Sequence, residues 1–302
     1  MQFVKIKSIE KSEIASVVDI QVEPQKQFIA NGIVVHNCSF CCWSRLYWNN
    51  KIRYRSVKNV VDEYDYLYKT YGECEVLDDA DCFDTRYGVE LAMALLNKGL
   101  GNEKVLWNIQ THPNYINDLE SMKLMKDSGL TVVKLGIESL NQATLDRIRK
   151  QSTVKSIARA IDICKQAKVM VHANLMVGFP FEDRDDAMNT IYQIKELNPN
   201  QAQFSLLIPY PFTDIYDESL ANNYFIQDAK TWSNFNARKP MLSMEGLSGE
   251  EVSELYKQYW REFYLNWKYI LKHVSTVRHW KGLKQLYSGY RSVKHGHMRS
   301  VE

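Results

Sequence analysis

Apolar positions fall into two textures along the chain. Over residues 1–37 they come in short strand-like runs, VKIKSI, VVDIQV and FIANGIVV, separated by charged or turn residues such as EPQKQ and NG. No stretch there repeats at the helical period. From about residue 56 the period changes. SVKNVVDEYDYLYKTYG carries a helical apolar stripe, and the short apolar run CEVLDD follows it. The same alternation then repeats. RYGVELAMALLNKG predicts a helix and VLWNIQT a strand; YINDLESMKLMKDSG and TVVKLGIES, then TVKSIARAIDICKQA and VMVHANLMVGFP, form the next pairs. A last helix, DRDDAMNTIYQIKEL, precedes the strand AQFSLLIPY. Strands alternating with helices at this spacing predict βαβ units and a parallel sheet, with five strands after Cys42. From about residue 222 the chain is rich in aromatic and basic residues and predicts helices without a clear strand.

Composition adds bounds rather than detail. A chain of 302 residues suits one large domain, or one domain and a small appendage. Hydrophobic residues at 45% and charged residues at 25% are ordinary for a globular protein. A net charge of +2 supplies no bulk electrostatic case for nucleic acid or a membrane surface. The start, MQFVKIKSIEKSE, is charged throughout and lacks the apolar core of a signal peptide. No apolar run is long enough to span a bilayer, so the expected location is cytoplasmic.

Chemistry concentrates at FIANGIVVHNCSFCCW. Of six cysteines, three stand at positions 38, 41 and 42. Without export signals, such a cluster favours metal or redox chemistry over disulfides. Thiolates spaced as CSFC can hold iron or zinc; the plainer alternative is two ordinary small buried residues. The motif stands ahead of the β/α array. DDADCF (78–83), GIES (136–139), MVGFP (176–180) and IPYPFTDIYD (208–217) then follow in order, each at the end of a predicted strand. Strand C-termini are where β/α proteins bind ligands.

This ordered set resembles the radical S-adenosylmethionine (SAM) superfamily, over roughly Cys38 to Asn222. The nearest likeness is to the branch associated with an upstream cobalamin-binding domain, and the helical tail also looks like that branch. The resemblance implies a (β/α)6-type, TIM-barrel-like fold and a [4Fe–4S] cluster held by the three thiolates of C-x3-C-x-aromatic-C. The fourth iron then binds SAM, whose reductive cleavage starts radical chemistry on a small-molecule substrate. It also implies an electron donor such as flavodoxin or ferredoxin. By position, Cys38 and Cys41 match the second and third ligands. Glu138 and Ser139 match SAM contacts at the fourth strand end. Asp78 and Asp79 occupy the second strand end, where relatives contact the methionine part. The first cysteine would stand at Val34 and does not. The usual first barrel strand is also missing, so the barrel is expected to be partial.

The left half of the stretch resembles the C-terminal blocks of inteins. VVDIQVEPQKQFIANGIVVHNC reads as a strand with Asp19, a turn, a strand ANGIVV, then His36, Asn37 and Cys38. The resemblance implies that Cys38 accepts an upstream acyl group as a thioester. Asn37 then cyclises and cuts the following bond, assisted by His36. Lys26 departs from the pattern, standing where many inteins carry a histidine. The expected organisation is a C-terminal split-intein fragment at 1–37, an incomplete radical SAM β/α core at 38–222 and a helical extension at 223–302. The implied partner is a second polypeptide carrying the N-terminal intein half, the first cluster cysteine and a segment through which cobalamin would be used. Competing readings are a non-catalytic binding module and a dead, intein-truncated fragment. In the tail, Trp260, Tyr264 and Trp267 at helical spacing read as core more than interface. The basic end, RHWKGLKQLYSGYRSVKHGHMR, has a solvated or packing role as its main reading and RNA or a phosphate-bearing substrate as the alternative. The histidines at 112, 172, 273, 279, 295 and 297 show no ligand spacing.

Overall fold

The computed structural model describes residues 27–30, 33–36, 38–42, 54–77, 80, 82–101, 104–235, 239–274 and 293. The chain divides into two compact units. One comprises Met1–Asn37 with Trp43–Ile52, the other Cys38–Cys42 with Arg53–Glu302.

In the first unit, strand β1 (Gln27–Ala30) pairs antiparallel with β2 (Ile33–His36), in the register Gln27 to His36 and Ala30 to Ile33. The stretch ANGIVV, expected as one strand, is therefore split between two.

The second unit follows the predicted alternation closely. Helix α1 (Val57–Tyr71) leads to β3 (Cys74–Leu77), α2 (Thr85–Asn97) to β4 (Val105–Thr111), and α3 (Leu119–Asp127) to β5 (Leu130–Glu138). After a short helix α4 (Gln142–Arg147) come α5 (Val154–Gln166), β6 (Met170–Val177), α6 (Arg184–Leu197), β7 (Gln201–Leu206) and α7 (Asp214–Ala221). The five strands pair in parallel in sequence order, β3-β4-β5-β6-β7, as a curled half-barrel. Among the described residues β3 pairs only with β4, consistent with the expected partial barrel.

The helices begin where a side chain satisfies free backbone N–H groups. Ser56, Asp84, Asp118, Thr153 and Asp183 each accept from an amide of the first turn. Two differences from the sequence pattern are local. The helix read from Tyr115 starts at Leu119, because Pro113–Tyr115 forms a 3-10 turn and Asp118 is the cap. Helix α4 is too short to show a period.

One sheet face is apolar and covered. Trp107, Ile109, Val133, Leu135, Val171, Ala173, Phe204 and Leu206 are each at most 2% exposed. The helical tail joins this core. Helix α8 (Gly249–Tyr264) starts at a capping box of Ser248 and Glu251 and lays Tyr259, Trp260 and Phe263 around the Phe204 ring. Tyr264 Oη donates to the Ala202 carbonyl at 2.6 Å. Trp260 and Tyr264 thus pack as core. Trp267, at the start of α9 (Trp267–Val274), does not: it is 66% exposed.

Gly129 makes the turn from α3 into β5 with φ +109°, and a Cβ there would collide with the Val105 carbonyl oxygen. Gly129→Ala is expected to lower the unfolding free energy by about 2 kcal/mol or more. Urea denaturation followed by circular dichroism measures this, and an unchanged midpoint would count against the stated geometry.

Candidate active site

Parallel pairing places the loops that follow the strands along one edge of the sheet. There the turn Cys38–Cys42 is fastened at two points. Ser39 N donates to the Ile148 carbonyl at 3.1 Å, and Ile215 N donates to the Ser39 carbonyl at 3.1 Å. Cys41 N donates to the Cys38 carbonyl at 3.3 Å, which closes the turn. Cys38 and Cys41 are half-buried and Cys42 is buried. Phe40 packs edge-on against Phe179, which follows β6.

Lys150 is the centre of charge at this edge. It is 9% exposed and donates to Glu138 Oε1 at 2.8 Å. Glu138 ends β5 with φ +67°, just after a register shift, and this left-handed residue re-aims the carboxylate. Arg149 and Gln151, on either side of Lys150, also have positive φ, at 54° and 62°. Such backbone is uncommon for residues with a Cβ and is concentrated where function fixes geometry. His112 holds the segment: its Nε2 lies 2.8 Å from the Lys150 carbonyl, and its Nδ1 accepts from Asn114 N at 3.2 Å. The ring is therefore neutral with Nε2 as donor. Burial first, then Lys150, lowers the His112 pKa to about 4.

Cys38 shares this neighbourhood. Burial pushes its thiol up to about 11; Lys150 pulls it down, Cys41 and Glu138 push it up, and Arg149 pulls it down. Burial lowers the Lys150 pKa, but Glu138, Cys38 and Cys82 together outweigh it, so the ammonium is strengthened. The site thus gathers two thiols, one carboxylate and one buried cation.

Ser139 faces the other way. It is 1% exposed, and its Oγ donates to Glu182 Oε1 at 3.0 Å. Thr144 Oγ1 donates to the same oxygen at 2.7 Å, and Thr190 Oγ1 lies 3.1 Å from Ser139 Oγ. Ser139 Oγ also accepts from Asn141 N at 3.1 Å. Burial raises the Glu182 pKa to about 7, against smaller lowering by Thr144 and Ser139. The Ser139 hydroxyl thus anchors the strand end from inside.

Of the other expected site residues, Asp19, Asn37, Asp78 and Asp79 lie outside the described residues. His36 is described as the last residue of β2. Lys150, His112 and Glu182 were not picked out from the sequence, because nothing in local spacing reveals that they are buried. Among the described residues no set of three His, Cys, Asp or Glu side chains is placed to hold a metal. Cys38 and Cys41 are free thiols on the same turn.

A parallel β/α half-barrel with a cysteine turn and a buried ion pair at its strand ends has the layout of a cofactor-using β/α enzyme. The chain belongs to the radical SAM superfamily, whose sequence profile matches residues 35–193, more than half of its length. It is 28% identical over 240 residues to an uncharacterized methyltransferase of Pyrococcus horikoshii, covering 79% of this chain and 51% of that protein. It is 28% identical over 233 residues to an anaerobic magnesium-protoporphyrin IX monomethyl ester cyclase of Rubrivivax gelatinosus, covering 76% and 40%. The chain thus spans about half or less of the length of these relatives. Its fold resembles that of the cobalamin-dependent SAM radical enzyme OxsB, solved with aqua-cobalamin and SAM bound. That match has a TM-score of 0.59 at 13% identity and covers 77% of this chain and 40% of the other. No helix among the described residues is long and apolar enough to cross a membrane.

Glu182 yields a test by pH. Its folded pKa of about 7 exceeds the ordinary value of 4.5, so the folded state binds more protons between them. Its contribution is complete below pH 4.5 and is lost as pH rises through 7. Glu182→Gln keeps the acceptor oxygen without the titration. The variant is expected to escape a loss on the order of 1–3 kcal/mol that the wild type undergoes over this window. Parallel pH–stability curves for the two proteins would refute the assignment.

Proposed function

We propose that this chain is the C-terminal precursor of a radical SAM enzyme, joined to an N-terminal polypeptide by protein trans-splicing. The observation that carries the reading is a coincidence of boundaries. Of the three borders between the two compact units, after Asn37, Cys42 and Ile52, the first falls at the expected splice junction, just after the hairpin ends at His36. The cysteine turn groups with the β/α unit, although residues on both sides of it group with the other. Val34, where the first cluster cysteine would stand, belongs to β2. A spliced joint would replace the hairpin by a segment that carries this cysteine.

In this reading residues 1–37 are the intein fragment, 38–222 the catalytic core and 223–302 its helical extension. The Cys38 thiolate attacks the thioester carried by the partner's intein half; the old C–S bond breaks, the partner's thiolate leaves, and the acyl group is on the Cys38 sulfur. The Asn37 side-chain nitrogen attacks the Asn37 carbonyl carbon, giving a succinimide and releasing the Cys38 amine. His36 supplies the proton for that amine, and Asp19 assists. The freed amine then takes the acyl group from sulfur, leaving a peptide bond.

The finished enzyme would hold its [4Fe–4S] cluster through Cys38, Cys41 and the partner's cysteine. When bound, the cluster and SAM supply one-electron SAM cleavage and hydrogen abstraction. Lys150 offsets the thiolate charge and is the cation available to an anionic group of SAM. Glu138 holds that ammonium in place, and His112 holds its backbone. Ser139 stiffens the strand end through Glu182. Asp78 and Asp79 remain assigned to the methionine part of SAM. The relatives favour methylation or ring formation on a small molecule, with cobalamin bound through the partner segment and electrons from a flavodoxin or ferredoxin.

Splicing is tested first. Asn37→Ala, mixed with the partner fragment, is expected to accumulate a branched thioester and no ligated product. Full-length ligated protein from this variant would end the splicing assignment. The cluster is tested separately on the ligated enzyme. Cys41→Ser should splice yet lose most of the iron–sulfur absorption, whereas Cys42→Ser should keep it; equal spectra for the two would remove Cys41 as a ligand.

A further inference from the structure

The inner face of the curled sheet differs from the apolar face beneath the helices. Side chains alternate between faces along each strand, so register alone decides which residues lie side by side. Gln110, Lys134, His172 and Gln201 form one row across β4, β5, β6 and β7. Asn108 and Val132 lie in the row on one side; Gly136, Asn174 and Gln203 lie in the row on the other. The Lys134 row contains a cation, an imidazole and two amides, and no acid.

Three side chains on this face are incompletely satisfied. Lys134 makes no ion pair among the described residues, whereas Lys150 is paired with Glu138. His172 Nε2 is buried and has no hydrogen-bond partner among the described residues. Asn108 is 8% exposed; its Nδ2 donates to Glu75 Oε1 at 3.3 Å, but its Oδ1 is buried without a partner among the described residues. Buried polar atoms are rarely left unpaired, and orphans gathered on one face point to a ligand. Burial first, then the neighbouring Lys134, lowers the His172 pKa and keeps the ring neutral, so it offers a hydrogen bond without a second charge.

We propose that this face seats the substrate through an oxyanion, a carboxylate or a phosphate, held by Lys134 Nζ and His172 Nε2. Asn108 Oδ1 accepts from a hydroxyl or N–H of the same molecule. The proposal rests on the enzymatic reading above for the statement that the bound molecule is the substrate. Lys134 lies four residues before Glu138 on β5, about 13 Å along the strand. The acidic group is thus anchored about 13 Å along β5 from the strand end that carries Glu138, and the body of the molecule runs past Asn174 and Met176 toward it. A substrate whose only acidic group adjoins the reacting carbon would not fit.

The test is direct binding to the full 302-residue chain, without SAM or cluster, so a failure of the radical reading leaves it intact. Octanoate, octyl phosphate and neutral octanamide are titrated by calorimetry. At least one anion is expected to bind about tenfold or more tighter than the amide. Tighter octanoate identifies a carboxylate substrate, and tighter octyl phosphate a phosphate. Lys134→Met should weaken the preferred anion about tenfold, and Lys134→Arg should restore it to within about threefold. Lys155→Met removes the same charge from an exposed position on α5 and should change binding less than about twofold. His172→Phe provides a second, independent loss should Lys134→Met fail to fold. Equal binding of acid and amide, or equal losses for Lys134→Met and Lys155→Met, would overturn the proposal.

Discussion

Parallel pairing of β3 through β7 is the constraint on which the rest of the molecule depends. A parallel strand cannot be reached by a tight turn, so each connection crosses back through a helix on the outer face. That face must then be apolar, and it is, from Trp107 on β4 to Phe204 on β7. The loops that follow the strands are driven to one edge. The cysteine turn, Glu138, Lys150 and Phe179 come from four separate parts of the chain and share that edge because the sheet leaves them no other place.

At the edge, charge takes over from packing. A buried ammonium is expensive unless it is paired, and a carboxylate beside thiolates is no better off alone. Lys150 and Glu138 solve both problems in one contact of 2.8 Å. The left-handed residues Glu138, Arg149 and Gln151 are the backbone conformations that make this contact reachable. Behind it, the buried carboxyl of Glu182 accepts from Ser139 and Thr144 and so ties the strand end to the loop after it. The two layers differ in kind: the outer one carries ionic groups toward the thiols, and the inner one is a closed set of neutral donors around one acceptor.

The inner face of the sheet shows the same division. Lys134 and His172 sit in a row without an acid, while the cation near the thiols has one. A protein that needed only stability would have little reason to place beside an imidazole a lysine that makes no ion pair among the described residues. The contrast separates a cation already paired with a carboxylate from one whose register row carries no acid.

Local pattern was enough to determine the alternation of helices and strands, the five parallel strands and the cysteine motif, because periodicity and side-chain chemistry are properties of neighbouring residues. It also located Glu138 at a strand end. Only the tertiary structure decided what those residues face. Ser139 follows Glu138 directly, yet it turns inward to Glu182, forty-three positions away. Trp267 continues the aromatic spacing of Trp260 and Tyr264, yet it lies beyond the end of α8 and meets solvent. Lys150, His112 and Lys134 look like ordinary polar residues in the sequence. Their significance comes from burial and from partners brought in by sheet register, and long-range register is the one quantity that a local pattern does not contain.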